Sequence, residues 1–544
     1  MNSHFASIGK ILADKIRPVA PVSMSVANHS GSFQLKETSE AVVLKQLQSL
    51  KTNKAIGLDN ISARLLKCGA QSVSHSITKL FNLSIRSGKF PGIWKCSKVS
   101  ALFKSGDRTN ATNYRPISIL PTLSKILERV VHSQLHEYLN SNNLLSNNQF
   151  GFSSKRSTAT ALSSFADEVL LNMEKGHICG AVFLDLTKAI DRADHGILLS
   201  KLSSVGVSPS ALEWFTSYLS NRKQRTSCEN ELSEALPVTF GVPQGSILGP
   251  LLFFVYINEL PAVIEHSEVS LYADDTVLYC FSKEPDQLES KLNADLYNVA
   301  LWLKANKLTL NLSKTKSMLI GSNRKLANVS SLSLSVFDCD LDSVNKFKYL
   351  GIMLASDFAW SDHVEYVISK VNQRLGLLRR IKHLLPFTAR LLFYNSLVLP
   401  VFDYGDLVWG DKNNVTLMND LQVLQNKAAK IILDRPLYSS ATDALVTLKW
   451  LNLEQRRFYH RCIYIYKCIN GLMDQSLNLL TNSDIHNCNT RNKDMLRLPR
   501  VTRNWGKQRV CHHSLKDWNK LERETRNAPN IATFKRNVFA RFFN

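Results

Sequence analysis

The chain has 544 residues, 44% hydrophobic and 21% charged, an ordinary globular composition over several domains' length that excludes a mini-protein or a largely disordered chain. Lys and Arg outnumber Asp and Glu by 67 to 45, a formal charge of +22, and an excess of that size points to a polyanionic partner, nucleic acid first. Ten cysteines without a CxxC pair read as reduced thiols and exclude a secreted disulfide scaffold.

At the start, MNSHFASIGKILADKI is mildly amphipathic and basic and lacks the apolar core of a secretory signal. The most apolar stretch, 247–257, is about half the ~20 residues of a membrane span. The protein is therefore expected in the nucleus or cytoplasm, neither secreted nor membrane-spanning. RPVAPVSMSVANHSGS (17–32) reads as a linker. A helix is expected from Ser39 onward, with Val42, Val43, Leu47 and Leu50 on one face, and a second over 58–68. VSALFKSGDRTNATNYRPISIL (99–120) reads as a long hairpin with basic arms around Gly106, Asp107 and Asn110.

Ile126, Leu127, Val130, Val131, Leu135, Tyr138 and Leu139 form a helical stripe, AVFLDLTKA (181–189) begins as a buried strand, and Ser208 with Pro209 caps a helix carrying Leu212, Phe215 and Leu219. FGVPQGSILGPLLFFVYINEL (240–260) is a glycine-rich loop opening an apolar helix, followed by a hairpin around Asp274 and Asp275, a helix over 286–304 and a strand and turn in LTLNLSKTKSMLIG (308–321). Over 361–383 a helix is expected with Val364, Val367, Ile368, Val371, Leu375 and Leu378 inward and Lys370, Arg374, Arg379, Arg380 and Lys382 outward. In 491–544 there are 14 basic and 4 acidic residues, making this stretch the strongest candidate for phosphate contact. Cys488, Cys511, His512 and His513 lack zinc-ligand spacing and read as scattered structural residues.

Three carboxylates sit where a carboxylate is costly. Asp185 ends the apolar run 181–184, and Asp274 and Asp275 interrupt the apolar hairpin 271–279. If the two elements are neighbours in one sheet, three hard oxygen donors converge, a set suited to Mg²⁺ or Mn²⁺. Two such ions would activate an attacking hydroxyl and stabilise a leaving pyrophosphate. Lys104 and Arg115 stand on opposite arms of the basic hairpin, placed to fold over a triphosphate. Gln244 offers an amide beside glycines that let backbone approach a planar substrate.

Taken in order, NYRPISIL (113–120), NQFGF (148–152), VFLDLTKAID (182–191), GVPQGSILGPLLF (241–253), YADDT (272–276), NKLTLNLSKTKSM (306–318) and FKYLGIML (347–354) resemble the successive reverse transcriptase motifs of non-LTR, LINE-type retrotransposons, most closely the jockey-like group. FASIGKILADKI, LKDWNKLE and FKRNVF are similar to the flanks of the same reading frame. The resemblance implies an α+β right-hand polymerase. Fingers and an antiparallel-sheet palm would occupy 80–355 and a helical thumb-like region 356–440, with an N-terminal linker and helical extension over 1–79 and a basic, mostly helical region over 441–544. It implies an RNA template, a DNA primer, dNTPs and two Mg²⁺ or Mn²⁺ ions. Asp185, Asp274 and Asp275 would hold the ions with the Leu186 carbonyl, and Lys104 and Arg115 the triphosphate. Gln244 and Gly245 would border the nucleotide, Lys314 would serve the pyrophosphate, and Tyr349, Leu350 and Gly351 would form the primer grip.

Ile190 falls where this family usually has an aromatic that blocks a ribose 2′-hydroxyl, so sugar selectivity is expected to loosen. The endonuclease that usually precedes such a polymerase has no counterpart here, so nicking is expected from an endonuclease in trans. A domesticated or decaying copy that binds nucleic acid without catalysis is the alternative, and a metal-dependent nuclease the third reading. The intact Asp185, Asp274 and Asp275 favour polymerase chemistry over the second, and the nucleotide-capturing loop and hairpin favour it over the third.

Overall fold

Alternation along one strand organises the molecule. In the computed structural model, which describes residues 1–14, 16, 31–228, 231–329, 332–410, 414–473, 479–485 and 493–543, strand Ile178–Asp185 is buried on both faces up to its last residue. Most of the linker reading (17–30) and Cys488 lie outside the described residues. Successive side chains of a strand point to opposite sides. Ile178, Val182 and Leu184 accordingly enter one hydrophobic core, with Leu127, Trp214, Leu252 and Leu296, while Cys179, Ala181 and Phe183 enter a second, with Phe165, Val367, Leu424 and Trp518.

The sheet runs in the order 342–343, 316–320, 178–185, 275–282, 268–272. It is antiparallel except at one edge, where Asp342–Ser343 pairs parallel with Lys316–Ile320, a departure from the all-antiparallel expectation. A second sheet pairs Cys96–Phe103 antiparallel with Tyr114–Ile119, as the hairpin reading requires, and parallel with Arg222–Cys228. No strand is expected at 222–228, because RKQRTSC is polar throughout. Its inward residues nonetheless find partners: Arg222 Nη1 donates to the Tyr218 carbonyl at 2.9 Å, and Gln224 and Thr226 donate to Asn2 Oδ1 at 3.3 and 3.0 Å. The partner that makes this strand possible is thus helix Asn2–Asp14, more than 200 residues away.

The expected helices form with shifted ends. Glu40–Gln48 follows Ser39, whereas 58–68 shortens to Ala63–Cys68, because Asn60 adopts a positive φ of 57° and Ser62 caps the helix from Leu65 N–H at 3.1 Å. Thr122–Ser141, Pro209–Leu219, Pro285–Ala305 and Ser361–Ile381 match their stripes. Helices Ala70–Arg86 and Thr158–Glu174 were not anticipated; the second starts with a reciprocal Ser157–Thr160 cap. The apolar helix Leu248–Ile257 is held at its N-terminus by Glu128, a buried carboxylate accepting from Ile247 N–H at 2.7 Å and Ser124 Oγ at 3.0 Å. None of the described helices is long and apolar enough to cross a membrane.

The basic outer face of Ser361–Ile381 is partly engaged within the protein: Arg374 bonds the Leu397 carbonyl, and Lys382, just beyond the helix, pairs with Asp434. The tail is also no free arm. Helices Val510–Trp518 and Ile531–Ala540 send Val510, Leu515, Trp518, Phe534 and Val538 into the second core, while Lys507, Lys516, Lys535 and Arg536 stay exposed. Cys511 and His513 are buried in this packing, which fits their structural reading.

Helix Thr158–Glu174 receives the tail through two carboxylates. Asp167 accepts from Val510 and Cys511 N–H at 2.5 and 3.1 Å, and Glu174 accepts from Thr502, Arg503 and Gly506 N–H at 2.6, 2.8 and 2.9 Å. Burial pushes the Glu174 carboxyl up, but the N–H donors of Arg503, Thr502 and Gly506 outweigh it and bring the value down to about 2. Its contribution is therefore complete above the unfolded value of ~4.3 and is lost as pH falls towards about 2. Glu174→Ala should raise amide exchange over 502–506 by about 10-fold, since bonds to a charged acceptor are worth ~1.5–3 kcal/mol. Unchanged exchange there would remove Glu174 as the anchor.

Candidate active site

Strand register brings the carboxylates together. Asp185 lies directly opposite Asp275 in the antiparallel pairing of Ile178–Asp185 with Asp275–Ser282. Tyr272 pairs with Asp275, so Ala273 and Asp274 form a two-residue turn in which Ala273 takes a positive φ of 57°. That conformation disfavours a side chain bearing Cβ and persists only where neighbours over-determine it. Gln149 is such a neighbour: its Oε1 accepts from Ala273 N–H at 3.1 Å and Gly151 N–H at 2.9 Å. The NQFGF segment is also stitched along the hairpin, with Phe150 N–H on the Leu271 carbonyl at 2.7 Å and Leu271 N–H on the Asn148 carbonyl at 2.9 Å.

Asp185 is braced from the other side. Thr315, fully buried, receives its N–H at 3.3 Å, and Asn311 N–H donates to its carbonyl at 2.8 Å. Leu186 bridges to Leu310. Desolvation at the floor of the cleft, then the Asp274 and Asp185 carboxylates, push the Asp275 carboxyl up to about 6, although its side chain still reaches solvent. Lys104 and Arg115 oppose that rise, which puts both hairpin cations within electrostatic reach of the cluster. Hard acceptor oxygens that repel one another fit a divalent cation. Asp185, Asp274 and Asp275 are the residues that could hold one.

A cleft of about 500 Å³ opens beside Asp185 and Asp275. Lys314, Lys316, Lys346 and Lys348 line it. Lys316 pairs with Asp342 and Lys346 with Asp362, both at 2.5 Å, and Lys348 donates to Tyr366 Oη at 3.0 Å. Lys314, exposed on the same wall, has no ion pair among the described residues. Leu350 and Gly351, both at positive φ (43° and 86°), form the tight turn between Lys346–Tyr349 and Ile352–Ala355. Tyr404 Oη donates to the Leu350 carbonyl at 2.6 Å. Only the turn and its lysine arms face outward, because the Tyr349 ring is buried against Phe165 and Phe183.

The glycine-rich loop docks onto the basic hairpin. Ser118 N–H donates to the Gln244 carbonyl at 2.7 Å, and Gly245 has φ +118° with the Ser118 carbonyl 2.5 Å from where a Cβ would sit. Any other residue at 245 would be strained and in collision. Ile190, half-buried, accepts Val242 N–H on its carbonyl at 3.1 Å, and Gln244 Nε2 donates to Asp191 Oδ1 at 2.8 Å. Gln149, Asp191, Thr315 and Tyr404 had no role in the sequence analysis. The first three sit inside the quoted motifs, where their positions were the available signal; Tyr404 had none.

Among the described residues, the one group of three possible metal ligands with ligand atoms within 4.8 Å of one another is Asp403, Asp406 and His460, so the Asp185, Asp274 and Asp275 oxygens stand further apart than this. Arg456 forks onto Asp403 at 2.5 and 2.6 Å and His460 Nδ1 meets Asp406 at 2.6 Å, so these acceptors are already occupied by protein donors.

Residues 103–354 match the family described as reverse transcriptase (RNA-dependent DNA polymerase). The chain is 29% identical over 80% of its length to the probable RNA-directed DNA polymerase from transposon BS of Drosophila melanogaster, covering 49% of that protein. It is 26% identical over 74% of its length to the probable RNA-directed DNA polymerase from transposon X-element, and 27% over 77% to the RNA-directed DNA polymerase from mobile element jockey, both of the same fly, covering 44% and 46% of them. The chain thus spans about half the length of the curated relatives it matches.

Proposed function

We propose, for a chain that belongs to the LINE-type reverse transcriptases, that it extends a primer 3′-hydroxyl with deoxynucleotides on an RNA template. The observation that carries this is the register placing Asp185 opposite Asp275, with Asp274 in the adjoining turn. On this reading the carboxylate sheet is the palm, the sheet of Cys96–Phe103 and Tyr114–Ile119 belongs to the fingers, and helices from Ser361 onward form the thumb. Divalent ions held by Asp185, Asp274 and Asp275, with the Leu186 carbonyl beside them, would supply activation of the attacking hydroxyl and charge stabilisation of the leaving pyrophosphate. Lys104 and Arg115 hold the triphosphate, Lys314 stands beside the leaving group, and the Leu350–Gly351 turn steadies the primer end. The partners of the reading are RNA template, DNA primer, dNTPs and an endonuclease acting in trans, in nucleus or cytoplasm.

The test is extension by purified protein of a primer annealed to RNA, with Mg²⁺ and dNTPs. Labelled product dependent on the template sequence is expected. Retained RNA binding with no product would favour the non-catalytic alternative.

Ile190 makes a narrower claim on the same assay. A planar aromatic presents a broad wall to the sugar, whereas an isoleucine leaves room for an added hydroxyl, and such pocket changes are worth ~1–3 kcal/mol. Ile190→Phe should therefore raise the preference for dNTP over rNTP by at least about fivefold, with the same metal dependence. Equal selectivity ratios in steady-state incorporation would show that Ile190 is not the gate.

A further inference from the structure

At Gln244 the loop that borders the nucleotide in this reading is held both by its backbone and by its side chain. Its backbone is pinned where Ser118 N–H meets the Gln244 carbonyl at 2.7 Å. Its side chain is pinned where Gln244 Nε2 meets Asp191 Oδ1 at 2.8 Å. An ionised carboxylate is acceptor-only, so it can be faced only by the NH₂ end of the amide. The acceptor end, Oε1, is then the end left to be presented elsewhere.

Asp191 itself has little freedom. Its neighbours dock onto the loop through Val242 N–H on the Ile190 carbonyl at 3.1 Å and Gly241 N–H on the Ala193 carbonyl at 2.8 Å. Helix Asn2–Asp14 closes the back: a Cβ built on Gly9 would lie 2.4 Å from the Asp191 carbonyl, and Arg192 reaches the Leu12 carbonyl at 3.2 Å. A small cavity of about 40 Å³ lies beside Asp191 and Gln244, lined also by Phe5 and Gly9 of the same helix. Burial raises the Asp191 carboxyl to about 6; the Gln244 bond and Lys188 counter this, and the Asp274 carboxylate adds to it, so the pair lies within the field of the carboxylate cluster.

We propose that Asp191 is a positioning residue that fixes the orientation of the Gln244 amide and so presents an oriented acceptor to the incoming nucleotide. The inference rests on the reverse transcriptase reading of the loop and adds a residue that determines nucleotide affinity.

Asp191→Asn tests it without changing shape, because an asparagine amide can accept or donate and frees Gln244 to turn over. KM for dNTP should rise about 5- to 20-fold, with kcat within about threefold and the Kd for primed template unchanged. Gln244→Glu alone places carboxylate against carboxylate and should be worse. Combined with Asp191→Asn it should recover most of the loss, since the substituted asparagine amide then donates to the new carboxylate, whose second oxygen restores the acceptor. A purely packing role would give no such recovery. An unchanged KM in Asp191→Asn, or a double variant no better than either single one, overturns the proposal. If the parent chain extends no primer, the reverse transcriptase reading falls, and equilibrium dialysis of a dNTP with Mg²⁺ against the same variants still decides the role of Asp191.

Discussion

Primer extension by Asp275→Asn should fall at least about 10²- to 10³-fold, because ion-supplied charge stabilisation is worth several kcal/mol and each 1.36 kcal/mol is tenfold in rate. Affinity for primed RNA should stay within about twofold, since on the proposed function binding would rest on cations that meet phosphates and not on this carboxylate. Folding stability should stay level or increase. The Asp275 carboxyl is pushed up to about 6 by desolvation and by Asp274 and Asp185, so its charged form opposes folding at neutral pH, and a neutral isostere removes that repulsion. Single-nucleotide incorporation, filter binding and urea unfolding on one preparation separate these effects. Incorporation near the parent rate would remove Asp275 from the reacting centre.

The largest expected loss of stability lies far from that centre. Arg461 and Asp517, 3% and 1% exposed, pair at 2.7 Å, and Lys520 adds a bond to Asp517 at 2.8 Å. Asp517→Ala leaves a buried guanidinium without its counter-ion, a change that typically costs ~3–5 kcal/mol. The urea midpoint should drop accordingly, and activity should fail through unfolding at temperatures the parent survives. Burial pushes the Asp517 carboxyl up, but Arg461 and Lys520 hold it below its ordinary value. The stabilisation it brings is thus present above the unfolded value of ~3.9 and disappears as pH falls through the lower folded one. A stability within about 0.5 kcal/mol of the parent would show that the tail is not clamped here.

Legibility in the sequence followed locality. Asp185, Asp274 and Asp275 could be placed because each breaks a short apolar run, and the hairpin at 96–119 and the helix Ser361–Ile381 because their periods are local. Strand Arg222–Cys228 could not be, since its inward Gln224 and Thr226 find their partner in Asn2, across the chain. The same holds for Asp191 and Gln149, whose roles exist only once Gln244 and Ala273 are folded against them. For 491–544 the charge count left out the packing: net charge counts cations but is blind to the apolar stripe of Leu515, Trp518 and Phe534 that roots the same stretch in the core.

The anchoring of Thr502–Gly506 on Glu174, over 328 to 332 residues of chain, also bears on how the protein is made. A ribosome adding ~5–20 residues per second delivers that cover many seconds after helix Thr158–Glu174 has emerged. During that interval Phe165 and Phe183 already pack on Tyr279, Tyr349 and Phe358, but the part of the second core that Val510, Leu515, Trp518 and Phe534 complete stays open. Nascent chains stalled before about residue 500 would thus be the species most prone to aggregate and most dependent on a chaperone.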